Sequence, residues 1–235
     1  MNNNLIKVLI AIIFIGILIG SISYFIKGGT PCVGNVTFSY MGNNVTYGMI
    51  KSPTGRCWMD RNLGATQVAT SYNDSAAYGD LFQWGRDDDG HQLRTSEVTT
   101  NLSSSDKPGH AKFIFQTLKE PYDWKSPQNN TRWQYSNNNP CPSGWRVPTS
   151  NEWMNEIKTG DWKNYNSAYS SPLKLTAAGY RYSTDSVLYN EGSYGCYWSS
   201  SARNIWGINL FLTEDQAYID YNNRASGLSV RCIRD

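Results

Sequence analysis

"GCYWSSSARNIWGINLFLTEDQAYIDYNNRASGLSVRCIRD" (residues 195–235) is the stretch on which the reading of this chain turns. The runs "GCYWSSS", "WGINLFL", "QAYIDY" and "GLSVRCIRD" are short, rich in aromatic and aliphatic residues, and joined by Asn, Asp, Gly and Ser. That pattern reads as a meander of short strands. The last run carries Val230, Cys232 and Ile233 and reads as a closing strand. The "AYIDYNN" just before it mixes Tyr, Asp and Asn with no such constraint, so a rigid element is expected to sit beside a permissive one.

Upstream, "CPSGWRVPTSNEWMNEIKTGDW" (residues 141–162) holds the clearest helix signal. Thr149 followed by Glu152 makes a capping box after Pro148, and Trp153, Met154 and Ile157 form the predicted apolar face. Gly160 is expected to end the helix. "PLKLTAAGYRY" reads as a further strand. "NVTFSYMGNNVTYGMI" alternates around Gly-Asn-Asn and reads as a β-hairpin, continued by "TGRCWMDRNLGA". In "DSAAYGDLFQWGR", Ala77, Leu81 and Trp84 at i, i+4 and i+7 predict a short amphipathic helix interrupted by Gly79. Residues 87–140 are loop-like, with Trp124 and Trp133 as the aromatics expected to pin them. No repeat of 20–50 residues is visible.

Among 235 residues the net charge is only +2, and Lys and Arg are scattered. No basic stripe points to nucleic acid as a partner. Aromatic residues make up 14% of the chain, including nine Trp and sixteen Tyr, against 17% charged residues. Such rings build cores and also contact surfaces. Residues 8–26 carry no charge, about the length needed to cross a bilayer as one helix. A cleaved signal peptide competes, but no A-x-A-like site follows. Residues 1–28 are therefore expected to be a retained single-span anchor. Lys7 and Lys27 flank it evenly and do not set its orientation.

All five cysteines (Cys32, Cys57, Cys141, Cys196, Cys232) follow that segment, and none is in a CxxC pair. Their wide spacing reads as a disulfide framework in an oxidising compartment, which places residues 29–235 outside the cell. The sequons at Asn35, Asn44, Asn73, Asn101 and Asn129 permit the same reading but arise easily by chance in such a composition.

"GRCWMDRNLGA", "AYGDLFQWGRDDDGHQ", "NNPCPSGWRVPTSNEW", "SPLKLTAAGYR", "YWSSS" and "GLSVRCIRD" occur in the order seen in the Fibrobacter succinogenes major paralogous domain family, which the chain resembles over residues 35–235. The resemblance implies a C-type-lectin-like fold in which a terminal strand pairs back near the domain start. It also implies a Cys141–Cys232 disulfide. Cys32–Cys57 would staple the first hairpin, with Cys57–Cys196 as the alternative. The tail resembles the variable proteins of diversity-generating retroelements, in which adenine-templated codons are rewritten. That resemblance implies a ligand-binding region at 202–228. Its expected contact residues are Asn204, Ile205, Trp206, Ile208, Asn209, Phe211, Tyr218, Asp220, Tyr221, Asn222 and Asn223.

Competing chemistry is weakly encoded. "DDDGH" (residues 87–91) lacks EF-hand spacing and reads as an Asp-Gly turn; the sugar-binding signatures EPN, QPD and WND are absent. His91 and His110 follow glycines in the long loop and are expected to be structural. No GxSxG or HExxH motif is present. Trp58, Trp84, Trp145, Trp153 and Trp198 are expected in the core, whereas Trp206 is balanced between core and binding face. The expectation is therefore an α+β, C-type-lectin-like domain with short antiparallel sheets, two helices and long loops, preceded by one transmembrane helix. It would be a non-catalytic, cell-surface binding protein without metal or cofactor, taking a protein or cell-surface ligand. The rivals are a structural surface protein and an enzyme of the formylglycine-generating type.

Overall fold

The first pairing lies in the hairpin of β1 (Asn35–Tyr40) and β2 (Asn43–Lys51), in register from Asn35↔Gly48 to Tyr40↔Asn43. Met41 and Gly42 close it with φ of 50° and 77°, the positive values that a tight hairpin turn needs to match strand twist. In this computed structural model, which describes residues 31–116, 120–134 and 138–235, β2 continues onto β3 (Cys57–Met59). The closing strand β14 (Ile233–Arg234) then inserts between β3 and β7 (Trp145–Arg146), giving the order β1-β2-β3-β14-β7. The Cys141–Cys232 disulfide spans 91 residues of chain and fixes that insertion. Cys32 and Cys57 are bonded to each other, closing the first hairpin as one of the two expected pairings.

A second sheet has the order β4 (Phe82–Gln83), β13 (Gly227–Leu228), β8 (Tyr180–Arg181), β9 (Leu188–Tyr189). A third is the meander β10 (Gly195–Arg203), β11 (Trp206–Leu212), β12 (Ala217–Asn223). A short parallel pair, β5 (Val98–Thr99) with β6 (Phe113–Ile114), ties down the long loop region. Trp124 and Trp133 are buried there, as the sequence suggested.

The helix α1 (Ser150–Thr159) begins where the capping box places it. The Thr149 hydroxyl accepts from the Glu152 N–H, the Glu152 carboxylate accepts from the Thr149 N–H, and Gly160 caps the end. A second helix, α2 (Tyr165–Ser170), is capped by Asn164 and was not legible in the sequence. Trp153 of α1 packs on Trp58 with ring centroids 4.7 Å apart, and on Tyr197 at 5.8 Å. Leu173, Leu175, Leu210, Leu212 and Ile233 complete this core. All five tryptophans expected in the core are buried. Three of their indole N–H groups tie separate segments together: Trp84 donates to the Ser199 carbonyl, Trp153 to that of Trp198, and Trp198 to that of Phe82.

The expected α+β, C-type-lectin-like class is corrected by these elements. Strand accounts for 31% and helix for 10%, so the described chain is mostly β, divided among one five-, one four-, one three- and one two-stranded sheet. One reason is local. The helix expected around Ala77, Leu81 and Trp84 is only a 3-10 turn at Ser75–Ala77, and Gly79 at φ 68° ends it. Leu81 and Trp84 instead flank strand β4 and are buried from both sides, so their helical spacing reflects burial and not a helix. "PLKLTAAGYRY" is likewise mostly irregular: Leu173, Leu175, Ala177 and Ala178 are buried, but only Tyr180–Arg181 is strand. Met154 is exposed, and Glu156 takes the buried position on α1, accepting from the Ser52 and Thr54 hydroxyls. The anchor expected at residues 1–28 lies outside the described residues; among those described, no helix is long and apolar enough to cross a membrane.

Glu152 gives the fold a pH dependence. Burial raises its pKa, but the Arg146 guanidinium at 2.7 and 2.8 Å and the Thr149 N–H outweigh burial and bring it to about 2. The unfolded value is 4.5, so this contribution is complete above pH 4.5 and is lost as the pH falls towards 2. Glu152→Gln is expected to cost about 2 kcal/mol at neutral pH, narrowing across that window. Urea unfolding at stepped pH reads this out, and a pH-independent difference would refute it.

Candidate ligand-binding face

The three-stranded meander sorts its residues by alternation. Register pairs Leu210 with Ile219, Ile208 with Tyr221 and Trp206 with Asn223 on one face. Phe211 pairs with Tyr218, Asn209 with Asp220 and Gly207 with Asn222 on the other. At one end the first face is covered by α1, through Leu210 and Leu212. At the other end the β10–β11 turn projects past the core. There Arg203 pairs with Trp206, leaving a two-residue turn in which Asn204 takes φ 53°, a left-handed conformation that Asn tolerates better than most.

A pocket of about 400 Å³ opens at this tip, lined by Arg203, Asn204, Trp206 and Tyr221. The Arg203 guanidinium donates to the Tyr221 hydroxyl at 2.8 Å and lies 5.5 Å from the ring centroid. The pocket therefore presents an indole, a phenol and a held cation, with the Asn204 amide at the rim. Such a set suits contact with an extended polar ligand, since rigid rings are immobilised at little entropic cost.

The support beneath is rigid. Arg224 is fully buried under the Trp84 ring, with its guanidinium 4.7 Å from the centroid. It donates to the Asn204 carbonyl at 2.8 Å and to Asn130 Oδ1 at 2.6 Å. Asp123, itself buried, lies 3.7 Å from Arg224 and 3.2 Å from Arg132. Burial lowers the Arg224 pKa to about 10, with Asp123 opposing, so it stays charged at neutral pH. Gln128 donates to the Ile205 carbonyl at 3.4 Å. Gly207 is sterically required, because a Cβ there would sit 2.8 Å from Trp198 and 2.9 Å from Trp84.

The expected contact residues thus separate. Asn204, Trp206 and Tyr221 come together at the tip pocket. Ile205 and Ile208 are half-buried beside it. Phe211, Tyr218 and Asp220 lie on the opposite face, with Phe211 and Tyr218 rings 5.4 Å apart. Asn222 and Asn223 are half-buried, and the Asn223 amide donates to the Ser183 hydroxyl. Asn209 is the misplaced member: it is fully buried opposite Trp198 and spends its amide on the Leu210 carbonyl. Arg203 joins the site without having been expected there; its signal was the turn position immediately before Asn204.

The other candidate groups are structural. His91 is fully buried, and its Nε2 accepts from the Gln83 N–H at 3.0 Å. Nδ1 therefore carries the proton and donates to Asp89 at 2.7 Å. Burial and then the Arg86 charge lower the His91 pKa to about 4, so the ring is neutral. Asp89 is also engaged by Arg86 at 2.8 Å. Cys196 is a buried free thiol whose pKa is raised first by burial and then by Asp220.

No curated protein and no solved structure matches this chain. Residues 132–233, less than half of the chain, match the family model described as a domain of unknown function, DUF8237, a span that runs from Arg132 beneath the tip pocket through the β10–β12 meander to β14.

Proposed function

We propose that this protein is a non-catalytic binding module that presents the tip of its β10–β12 meander to a protein or glycan at a cell surface. The observation that carries the reading is the pocket of Arg203, Asn204, Trp206 and Tyr221 standing on a buried, hydrogen-bonded floor. An exposed turn on a fixed scaffold can change residues without cost to the core, which is what a diversified surface requires. Residues 202–228 are the segment that retroelement copying would rewrite, and residues 1–28 would anchor the domain outside the membrane. A working cysteine pair of the formylglycine-generating type is disfavoured, since Cys57 is bonded to Cys32 and Cys196 is enclosed.

Two measurements test this. DNA flanking the gene should hold a near-copy of its 3′ end that differs only at adenines, beside a reverse transcriptase gene; related strains with residues 202–228 unchanged would sink diversification. On arrays of cell-surface proteins and glycans, Trp206→Ala should weaken the bound ligand by about 30-fold, as a central aromatic anchor does, with unfolding unchanged. Equal binding by the variant would remove the tip from the site.

A further inference from the structure

We propose that the face of the β10–β12 sheet opposite the tip pocket, continued over the β8–β9 hairpin, is a second docking surface that takes an arginine-bearing peptide segment. Six aromatic rings form it. Tyr180 stacks on Tyr189 at 6.0 Å, and Tyr182 meets both edge-on at 6.2 and 6.0 Å. Phe211 lies 5.2 Å from Tyr194 and 5.4 Å from Tyr218. The Gly179 N–H donates to the Tyr194 carbonyl at 2.8 Å and Gly179 bridges to Gly195, which sets Tyr180 of the hairpin beside Tyr194 and joins the two groups.

The rings are open. Tyr182, Tyr189 and Tyr218 leave 37%, 39% and 38% of their surface to solvent, more than core packing would. Single exposed apolar residues need no explanation, but a contiguous field of rings marks an interaction surface.

Charge identifies the partner. The Tyr189 hydroxyl donates to Asp185 at 2.7 Å, and Asp220 lies beside Tyr218. At the end of the field a depression of about 340 Å³ is lined by Tyr165, Tyr194, Glu214 and Asp215, and among the described residues no lysine or arginine lines it. Glu191 is already matched by Arg94 at 2.8 Å. Among the described residues, no ion pair engages Asp185, Glu214, Asp215 or Asp220. The phenols stay neutral: burial raises the pKa of Tyr180 and Tyr218, and the Asp185 hydrogen bond raises that of Tyr189. Negative ring faces and unpaired carboxylates fit planar guanidinium groups, which stack on aromatics and pair with carboxylates at once. The same carboxylates repel anionic partners.

The test uses the full chain and a fluorescent decapeptide of alternating arginine and glycine, with its glutamate counterpart as control. Anisotropy should show the arginine peptide bound, weakening with salt, and the glutamate peptide not bound. Tyr182→Ala with Tyr218→Ala should lower the affinity about tenfold. Asp185→Asn with Asp215→Asn should lower it too and flatten the salt dependence; these carboxylates are exposed or half-exposed and their loss leaves the core intact. Trp206→Ala should leave it unchanged, which separates this surface from the tip. Failure to bind the arginine peptide, equal affinity in both double variants, or loss on Trp206→Ala overturns the proposal. So does salt-insensitive binding of a neutral glucan in its place, which would assign the rings to sugar stacking.

Discussion

The double variant Cys141→Ser/Cys232→Ser is expected to lose about 4–5 kcal/mol of unfolding free energy, the largest loss expected from any change discussed for this protein. The bridge spans 91 residues, and closing a loop of that length removes much of the entropy of the unfolded chain. It also holds β14 between β3 and β7, where only Ile233 and Arg234 pair as strand. Two residues of ladder would not by themselves keep the closing strand in place. Replacing both cysteines avoids a stray thiol, and the Cys32–Cys57 bond is left as an internal control. Urea unfolding without reductant gives the number; a loss below about 1 kcal/mol would mean that the unfolded chain is already compact across this span.

Arg224→Met is expected to cost about 3 kcal/mol and to loosen the tip as well. Methionine fills the channel beneath Trp84 but donates nothing. The Asn204 carbonyl and Asn130 Oδ1 lose their donor, while Asp123 keeps Arg132 at 3.2 Å. The cost therefore falls on the floor of the pocket and not on Asp123. Amide exchange in residues 203–206 should accelerate well before the β1–β2 hairpin does, because local opening no longer breaks a charged hydrogen bond. A uniform acceleration across the domain would show that Arg224 serves the core alone. Binding at the tip should weaken in step with the local exchange, while the tyrosine face, on the opposite side of the sheet and away from the β10–β11 turn, should not change.

Local rules were readable wherever one segment carries its own constraint. Thr149 and Glu152 announce α1 because both halves of a capping box lie within four residues. The β1–β2 hairpin and the β10–β12 meander follow from alternation and turn chemistry. The failures have one cause. Leu81 and Trp84 look helical and Asn209 looks exposed only if each segment is covered from one side. In the folded chain β4, and β11 at Asn209, are enclosed from both, so periodicity no longer reports the face there. Glu156 is hidden for a related reason: its partners, Ser52 and Thr54, are about a hundred residues away.

By itself the sequence determined the helix start, the hairpin, the strand meander and the buried tryptophans. These rest on contacts within a few residues or on the transfer of large rings out of water. Only the tertiary structure decided the sheet order, the mostly β character, the union of Arg203 with Tyr221, and the joining of Tyr180, Tyr182 and Tyr189 to Tyr194, Phe211 and Tyr218. Each of those depends on which strands lie side by side, and that is set by pairings and a disulfide between positions far apart in the chain, for which no local pattern exists.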